Sequence, residues 1–323
     1  MTRKLPSGLA ATGFALALAL VVLNAAALAD EAFIPDQTGD ELSILDLEKG
    51  RIVARIPIPG KPAGVAMSRD GRTAFVTSTE GKYISVVDTA ERRVLRRIAT
   101  SDTPLGIALD HSGASLYLAG FYQPRLYKID IASGALEATL DIGALPSGVA
   151  VTSDGAVIVT ADRGDDQISI IDAAKWTRLA TVKVGAHPFG VTIDPAGARV
   201  YTANVESNDI SVVDLASRKL IGTVKVGKRP YAVALANGLG FSTDQYGGTV
   251  SVFDLATLQP IKRISVGEYP EGIEASADGE RIYVTNWFSN EVSAIDAHTL
   301  QVIARIPVGD GPRAFGKFLR VTP

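Results

Sequence analysis

The residues best suited to bind a ligand or to react lie beside a proline that recurs along the chain. This proline falls at Pro62, Pro104, Pro146, Pro188, Pro230, Pro270 and Pro312, at steps of 42, 42, 42, 42, 40 and 42 residues. In the first three units its neighbours are mostly small or apolar, whereas in the last four they are aromatic or charged. Variation at one place in an otherwise regular repeat indicates a position used for function rather than for folding.

Equivalent positions in the later units supply aromatic, cationic and acidic side chains that could hold a ligand or a partner. The candidates are His187, Phe189, Arg229, Tyr231, Asp244, Tyr246, Tyr269, Glu271, Asn286, Trp287 and Arg313. Aromatic rings offer apolar area, and a guanidinium or carboxylate fixes the orientation of what binds. The alternative is that these side chains fill the fold and pair with one another, as Arg313 and Glu271 of neighbouring units could.

No set of residues has the spacing of a known catalytic or metal site. The chain has no Cys, which excludes thiol chemistry and thiolate metal ligands. Only His187 of the three His lies among the candidates, and a lone His is more often structural than a ligand. Asp162 and Asp244 could help to bind a hard cation, but capping of a local turn accounts for them more simply. We therefore assign no catalytic residue, no metal site and no named cofactor.

The elements that must position the candidates are short β-strands. Each unit contains four runs rich in Val, Ile, Thr and Tyr, at 189–193, 200–203, 210–214 and 220–226 in one of them. Four antiparallel strands in about 42 residues are typical of one blade of a β-propeller. The Asp that closes the third run keeps the same steps, at Asp46, Asp88, Asp130, Asp172, Asp214, Asp254 and Asp296. The sequence thus predicts an all-β, seven-bladed propeller of four-stranded antiparallel blades.

The two ends of the chain are expected to complete the ring together. Six full units run from about residue 61 to 309, while residues 32–59 supply three strands and residues 313–321 supply one. The shortened unit carries Asn237-Gly238, a favoured two-residue hairpin turn, so its deletion leaves the strand pairing intact. The other glycines recur with the blade period and are expected to serve turns.

The first residues predict export. Arg3 and Lys4 precede an apolar run at about 14–23, and Ala27-Leu28-Ala29 is a small-residue cleavage site. We expect residues 1–29 to be a secretory signal peptide and residues 30–323 to be one propeller domain, periplasmic or secreted and monomeric, with no membrane span. Loss of the two basic residues changes the formal net charge from −3 to −5. An acidic chain without a basic stripe is not expected to bind nucleic acid.

The chain resembles the YVTN-type β-propeller repeat. The segment Tyr283-Val284-Thr285-Asn286 matches the signature, and Phe75-Val76-Thr77-Ser78 and Tyr201-Thr202-Ala203-Asn204 are variants of it. The resemblance covers the mature chain and implies the propeller fold, but no shared catalytic residues. It also implies relatives among surface-layer-like proteins and among periplasmic propellers near quinoprotein and haem d1 systems.

We expect a non-enzymatic scaffold that binds a protein partner or a small molecule in the periplasm. Its site should be the central mouth, on the face formed by the loops between strands four and one and between strands two and three. Two alternatives stay open. One is an accessory or enzymatic subunit of a quinoprotein or haem d1-type redox system, and the other is a lactonase-like hydrolase.

Overall fold

The computed structural model describes residues 1–2 and 31–320, which form seven antiparallel sheets arranged as a β-propeller. This confirms the predicted fold class and the number of blades. The predicted signal peptide lies outside the described residues. Within them, no helix is long and apolar enough to cross a membrane.

Each blade has four strands, which we list from the central axis outwards, with blade 1 beginning at Pro62. The innermost strands are β4 (Pro62–Met67), β8 (Pro104–Leu109), β12 (Pro146–Val151), β16 (Pro188–Ile193), β20 (Pro230–Ala236), β24 (Pro270–Ala275) and β29 (Leu319–Arg320). The second strands are β5 (Thr73–Ser78), β9 (Ser115–Gly120), β13 (Val157–Asp162), β17 (Arg199–Asn204), β21 (Leu239–Asp244), β25 (Arg281–Asn286) and β1 (Glu31–Asp36).

The third strands are β6 (Tyr83–Asp88), β10 (Arg125–Asp130), β14 (Gln167–Asp172), β18 (Asp209–Asp214), β22 (Thr249–Asp254), β26 (Glu291–Asp296) and β2 (Glu41–Asp46). The outermost strands are β7 (Arg93–Ala99), β11 (Leu136–Asp141), β15 (Thr177–Lys183), β19 (Lys219–Lys225), β23 (Pro260–Ser265), β27 (Gln301–Pro307) and β3 (Arg51–Pro57). Two single-turn 3₁₀ helices, Arg163–Asp165 and Gln245–Gly247, follow the second strands of blades 3 and 5.

The recurring Asp at the end of each third strand caps the turn that follows. In blade 4, for example, the backbone N–H of Ser217 donates to Asp214 Oδ1 at 2.7 Å, and the Ser217 hydroxyl donates to the same oxygen. These hydrogen bonds to the ionised form hold the pKa of Asp214 below its usual value. The periodic Asp is therefore a turn residue.

Glycines of the innermost strands lie in strands rather than in turns, which corrects the expectation from their spacing. A Cβ added to Gly106 would lie 1.9 Å from the carbonyl oxygen of Ser147 in the next blade, and Gly64 and Gly190 face their neighbours in the same way. The absence of a side chain lets adjacent innermost strands converge on the axis. Each of these glycines sits in a break of the pairing register between its proline and the third residue after it.

A buried polar pair joins the second and third strands of most blades. The Ser43 hydroxyl donates to Asp36 Oδ2 at 2.5 Å in blade 7, and Asn286 Nδ2 donates to Ser293 Oγ at 2.8 Å in blade 6. Blade 2 differs because Tyr127 replaces the Ser. Its ring occupies the space next to Gly120, where a Cβ would lie 2.7 Å from Tyr127 Cε2. The larger residue thus needs the glycine opposite it.

The chain ends close the ring as predicted, with a deviation before the last strand. β29 pairs with β1 antiparallel, so blade 7 combines three strands from one end with one from the other. Leu319 lies seven residues after Pro312, whereas its counterpart Ile193 lies five residues after Pro188. In the longer segment a two-residue strand, β28 (Phe315–Gly316), pairs parallel with β4 of blade 1.

Candidate functional site

The loop face is the side of the ring that carries the loops between strands four and one and between strands two and three. Residues that precede the recurring proline are fixed there by the preceding blade. The backbone N–H of His187 donates to Asp166 Oδ1, and that of Arg229 donates to Asn208 Oδ1, each at 2.8 Å. His187, Arg229 and Tyr269 have φ values of 57°, 55° and 53°, a left-handed conformation that is strained for large side chains. The loops therefore hold these three side chains in set directions.

An apolar plug fills the centre of the ring at the level of the loop face. It contains residues of blades 1, 2, 4 and 5 together with Phe315, which lies between Pro312 and β29. Because these blades stand on different sides of the ring, the plug crosses the axis. Its members are Ala63, Leu105, Phe121, Phe189, Val205, Tyr231 and Phe315. The rings of Phe189 and Tyr231 lie 4.5 Å apart, and Phe315 packs 5.1 Å from Phe189. The mouth of the loop face is consequently a bowl with an aromatic floor rather than an open channel.

A charged network occupies the blade 6 side of this bowl. Arg313 Nε donates to Glu271 Oε2 at 2.5 Å, Gln245 Nε2 donates to Glu271 Oε1 at 2.5 Å, and Arg313 Nη1 donates to Gln37 Oε1 at 3.0 Å. Burial raises the pKa of Glu271, and the charge of Arg313 opposes that shift. The ion pair between neighbouring units that the sequence left open is thus present.

Further basic groups converge on the hydroxyl of Tyr231. Arg163, Arg229 and Arg313 all lie within electrostatic range of it. Burial raises the pKa of Tyr231 and lowers the pKa of Arg163. On the opposite side of the bowl, His187 Nδ1 lies 3.4 Å from Glu206 Oε2. The bowl therefore presents a neutral hydroxyl near three cationic side chains and the carboxylate of Glu271.

Four aromatic side chains of blades 5 and 6 form a continuous ridge beside the bowl. We call Tyr246, Tyr269, Trp287 and Phe288 the aromatic ridge. Ring centroids lie 5.4 Å apart for Tyr246 and Tyr269, 4.5 Å for Tyr269 and Phe288, and 4.6 Å for Trp287 and Phe288. Tyr246 is 55% and Phe288 54% exposed, and Arg229 lies over the Tyr246 ring at 4.9 Å. Arg229 thus connects the ridge to the bowl.

Two of the predicted residues lie beneath the bowl and the ridge rather than in them. Asp244 is fully buried and accepts hydrogen bonds from the Ser251 and Thr249 hydroxyls, both at 2.7 Å. Burial raises its pKa. Asn286 is also fully buried, beside Ser293. The structure therefore brings nine of the eleven predicted residues to the bowl or the ridge and places these two in the support beneath them.

A cavity of about 350 Å³ lies under the plug, along the axis. It extends from Phe189 to Met67, Pro195 and Lys317 at the other end of the innermost strands. The buried carboxylate of Glu274 lines it and accepts the backbone N–H groups of Phe318 and Leu319 at 2.6 and 2.8 Å. This axial cavity is therefore separated from the predicted mouth by the aromatic plug.

Several residues of the bowl were not predicted, although the repeat contained a signal for them. The position after the last residue of each second strand reads Gln37, Thr79, Phe121, Arg163, Val205, Gln245 and Trp287 around the ring. All but Thr79 take part in the plug, the charged network, the ridge or the Tyr231 surroundings. Comparison of this position around the ring identifies the residues of the bowl that the positions beside the proline do not reveal.

Metal chemistry has no obvious site in the described part of the chain. Residues 31–320 contain no group of three or more His, Asp or Glu side chains placed to hold an ion.

Comparisons with known proteins agree with the architecture. A model for the YNCE-like β-propeller matches residues 21–114, and a model for the lactonase seven-bladed β-propeller matches residues 127–235. A β-propeller family fits the chain. Each match covers about a third of the propeller or less, in different blades, so the repeats are shared more clearly than any one subfamily. No curated protein is significantly similar in sequence.

Solved structures with this fold include proteins of quite different function. Hydrazine synthase of Kuenenia stuttgartiensis superimposes with a TM-score of 0.70 at 20% identity, covering 79% of this chain and 89% of that chain. A functionally unknown protein from Desulfotomaculum acetoxidans gives 0.76 at 13% identity, covering 88% and 99%. Dihydro-heme d1 dehydrogenase NirN in complex with DHE gives 0.64 at 16% identity, covering 87% and 74%. Identities this low establish the fold alone.

Proposed function

We propose that this protein is an exported β-propeller that acts as a binding scaffold, with its site at the bowl and aromatic ridge of the loop face. The aromatic ridge carries the proposal. Four contiguous aromatic side chains, two of them more than half exposed, leave a continuous apolar area in water on the loop face. Clustered exposed aromatics of this kind typically mark interaction sites and supply most of the binding energy there.

The backbone before the recurring proline fixes the direction of three bowl side chains. The left-handed conformations of His187, Arg229 and Tyr269 cost on the order of 1 kcal/mol each. Hydrogen bonds from the preceding blade offset that cost for His187 and Arg229. The same conformation at Lys61 and Leu145 shows that it belongs to the repeat, which presents whatever side chain stands there to the mouth. On the opposite face the recurring Asp residues are engaged in their own turns, as Asp214 is.

Site-specific crosslinking tests the binding face. A photoreactive residue at Phe288 or Tyr246 should crosslink to a defined partner in the periplasmic fraction of the native host, and Trp287→Ala should reduce that product at least about tenfold. Ile303 is the matched control, because it is 51% exposed on the outermost strand β27, away from the ridge. Equal crosslinking from Ile303 and Phe288, or no effect of Trp287→Ala, would show that the ridge is not the binding surface.

The export part of the proposal rests on the leader-like sequence of residues 1–29. N-terminal sequencing of the protein from a periplasmic fraction should find Asp30 as the first residue. An intact Met1 in protein recovered from the cytoplasm would contradict export.

A second candidate is an accessory role in a quinoprotein or haem d1-type redox system. Two observations favour it: the fold likeness to a dehydrogenase solved in complex with DHE, and the combination of aromatic and cationic groups at the bowl. Incubation with haem or with pyrroloquinoline quinone, followed by gel filtration, should then give protein that elutes with the absorption of the cofactor. Colourless protein with both probes counts against this candidate.

The lactonase match to residues 127–235 favours a third candidate, hydrolysis of a lactone. The described residues offer the acid–base groups Glu206 and His187 at the bowl, 3.4 Å apart. Turnover of γ- and δ-lactones that is lost in Glu206→Gln would support this activity. Absence of turnover in the wild-type protein, assayed with and without added divalent metal, would remove it.

A further inference from the structure

We infer that the bowl of the loop face binds a small organic anion, a carboxylate carried on a planar apolar body, through the guanidinium groups of Arg163 and Arg229. The inference rests on the proposed function in using the same mouth, and it adds the chemical class of the ligand. It also separates the bowl from the aromatic ridge, which is the surface tested by crosslinking.

Two of the three arginines at the bowl have no ion-pair partner within the described chain. Arg313 is paired with Glu271 at 2.5 Å. Across residues 31–320, no carboxylate lies within 4.0 Å of the guanidinium nitrogens of Arg163 or Arg229, although Glu206 lies within electrostatic range of Arg163. Two half-buried guanidinium groups at one mouth are therefore available to an anion.

Arg163 shows most clearly that a partner is expected. Its Nε is buried and has no hydrogen-bond partner among the described residues. An unpaired buried donor is costly, and a charged one more so, so a water molecule or a ligand is expected to complete it. Burial lowers the pKa of Arg163, because the guanidinium loses hydration there; the group stays charged, and a bound anion would compensate for the lost hydration.

The stacking of both arginines directs their donors to a ligand. Arg163 lies over the Phe121 ring at 4.5 Å, and Arg229 lies over the Tyr246 ring at 4.9 Å. A guanidinium stacked by its face keeps its in-plane N–H fork free, and this fork matches a carboxylate with two parallel hydrogen bonds. The Tyr231 hydroxyl, within electrostatic range of both groups, is a further donor.

The floor of the bowl indicates what the carboxylate is attached to. The rings of Phe189, Tyr231 and Phe315 pack against one another at 4.5 to 6.2 Å beneath the arginines. An inorganic anion would leave this aromatic surface in water. A planar apolar body would cover it while its carboxylates reach the arginines, so one ligand accounts for the floor and the unpaired charges together.

Titration calorimetry of the mature protein with naphthalene-2,6-dicarboxylate, terephthalate and phthalate tests the inference. At least one should bind, at least about tenfold more tightly than the corresponding dicarboxamide, because only the acid provides charge-assisted acceptors. Added sodium chloride should weaken binding. Arg163→Gln and Arg229→Gln should each reduce the affinity about tenfold or more, and Arg163→Lys should fail to restore it, since lysine keeps the charge but lacks the fork.

Arg97→Gln is the matched control. Arg97 lies over the Tyr83 ring at 4.6 Å, the same stacked arrangement, but on the outermost strand of blade 1. Its replacement should leave the affinity unchanged, and circular dichroism should confirm that all variants are folded. Three results would overturn the inference: no binding of any dicarboxylate, equal binding of the dicarboxamides, or full competition by an equal concentration of inorganic phosphate.

The two proposals fail in different ways. If the arginine variants lose dicarboxylate binding but Phe288 gives no crosslink, the anion site is retained and the ridge is rejected as a partner surface. Normal ridge crosslinking with no dicarboxylate binding would retain the scaffold and reject the anion.

Discussion

The replacement of Asp36 by Asn should make the propeller more stable and should make its stability less dependent on pH. Asp36 is fully buried at the end of β1, where the ring closes. Burial raises its pKa from 3.8 to about 7, against a hydrogen bond from Ser43 that favours the charged form, and the nearby charge of Glu41 adds to the rise. Asn occupies the equivalent position in blades 4 and 6, as Asn204 and Asn286, and it bonds to the equivalent Ser there.

The sign follows from the two pKa values. The folded state holds the Asp36 proton more tightly than the unfolded chain does, so the stability that protonated Asp36 gives is complete below pH 3.8. It is then lost as the pH rises to about 7. A difference from 3.8 to about 7 corresponds to about 4 kcal/mol in full, of which about 3 kcal/mol falls between pH 5 and pH 8. Asn carries no proton to lose, so the variant lacks this decline.

Urea unfolding at pH 5 and pH 8, followed by circular dichroism, measures the effect. The free-energy difference between Asp36→Asn and wild type should be about 3 kcal/mol more favourable to the variant at pH 8 than at pH 5. Other buried carboxylates, such as Glu271 and Asp162, contribute equally to both proteins and cancel. A constant difference across this range, or a variant less stable than wild type at pH 8, would refute the reasoning.

Asp130→Asn is the control for this experiment. Asp130 is exposed in a turn, where hydrogen bonds from Ser133 hold its pKa below the usual value. Both its folded and unfolded forms are therefore ionised between pH 5 and pH 8, and its difference from wild type should stay constant over that range.

Three further variants test the supports of the ring. Asn286→Asp, the reverse of the change at Asp36, places a buried carboxylate at a position 3.4 Å from Glu291. Urea unfolding should show that this variant is destabilised at pH 8 but much less at pH 5. Glu274→Ala leaves the Phe318 and Leu319 N–H groups unpaired. It should lower the free energy of unfolding by about 2 to 4 kcal/mol and speed hydrogen exchange of those two amides. Glu274→Gln keeps an acceptor and should lower the free energy of unfolding less. Gly106→Ala brings a Cβ to 1.9 Å from the Ser147 carbonyl oxygen and should lower the free energy of unfolding, measured by thermal unfolding, by about 1 to 3 kcal/mol. Gly39→Ala, whose Cβ would lie 3.5 Å from its nearest neighbour, should be nearly neutral.

Much of the fold follows from the sequence because the constraints repeat. The Asp that ends each third strand recurs in all seven units, and the recurring proline begins the innermost strand in six of them, so each confirms the other's register. Closure by the two ends follows from counting strands. The innermost glycines were misread because their reason lies between blades. The carbonyl oxygen that excludes a Cβ at Gly106 belongs to a residue 41 positions later, so no local pattern shows it.

The site was only partly predictable, since it depends on how the ring fills its own centre. Two extra residues after Pro312 look like a longer loop, yet they let Phe315 reach Phe189 and close the mouth. The role of Arg163 depends on its surroundings. The aromatic ring that it covers, Phe121, belongs to another blade, and the lack of an acceptor for its Nε is visible only in the folded structure.

The contrast between a symmetric ring and an asymmetric mouth shows where selection for binding can act in this fold. Positions that join the strands within a blade, such as the Ser43–Asp36 pair, are similar in most units because each blade has the same strands to join. The residue after the second strand meets the demand common to all blades through its backbone, as when the N–H of Gln245 donates to the Arg229 carbonyl. Its side chain joins a different cluster in different blades, such as the apolar plug at Val205 and the charged network at Gln245, so it can differ from blade to blade. An arginine at 163, a glutamine at 245 and a tryptophan at 287 can therefore be placed around one axis at little cost to folding, which makes this ring of positions the best place to seek, or to alter, the specificity of the protein.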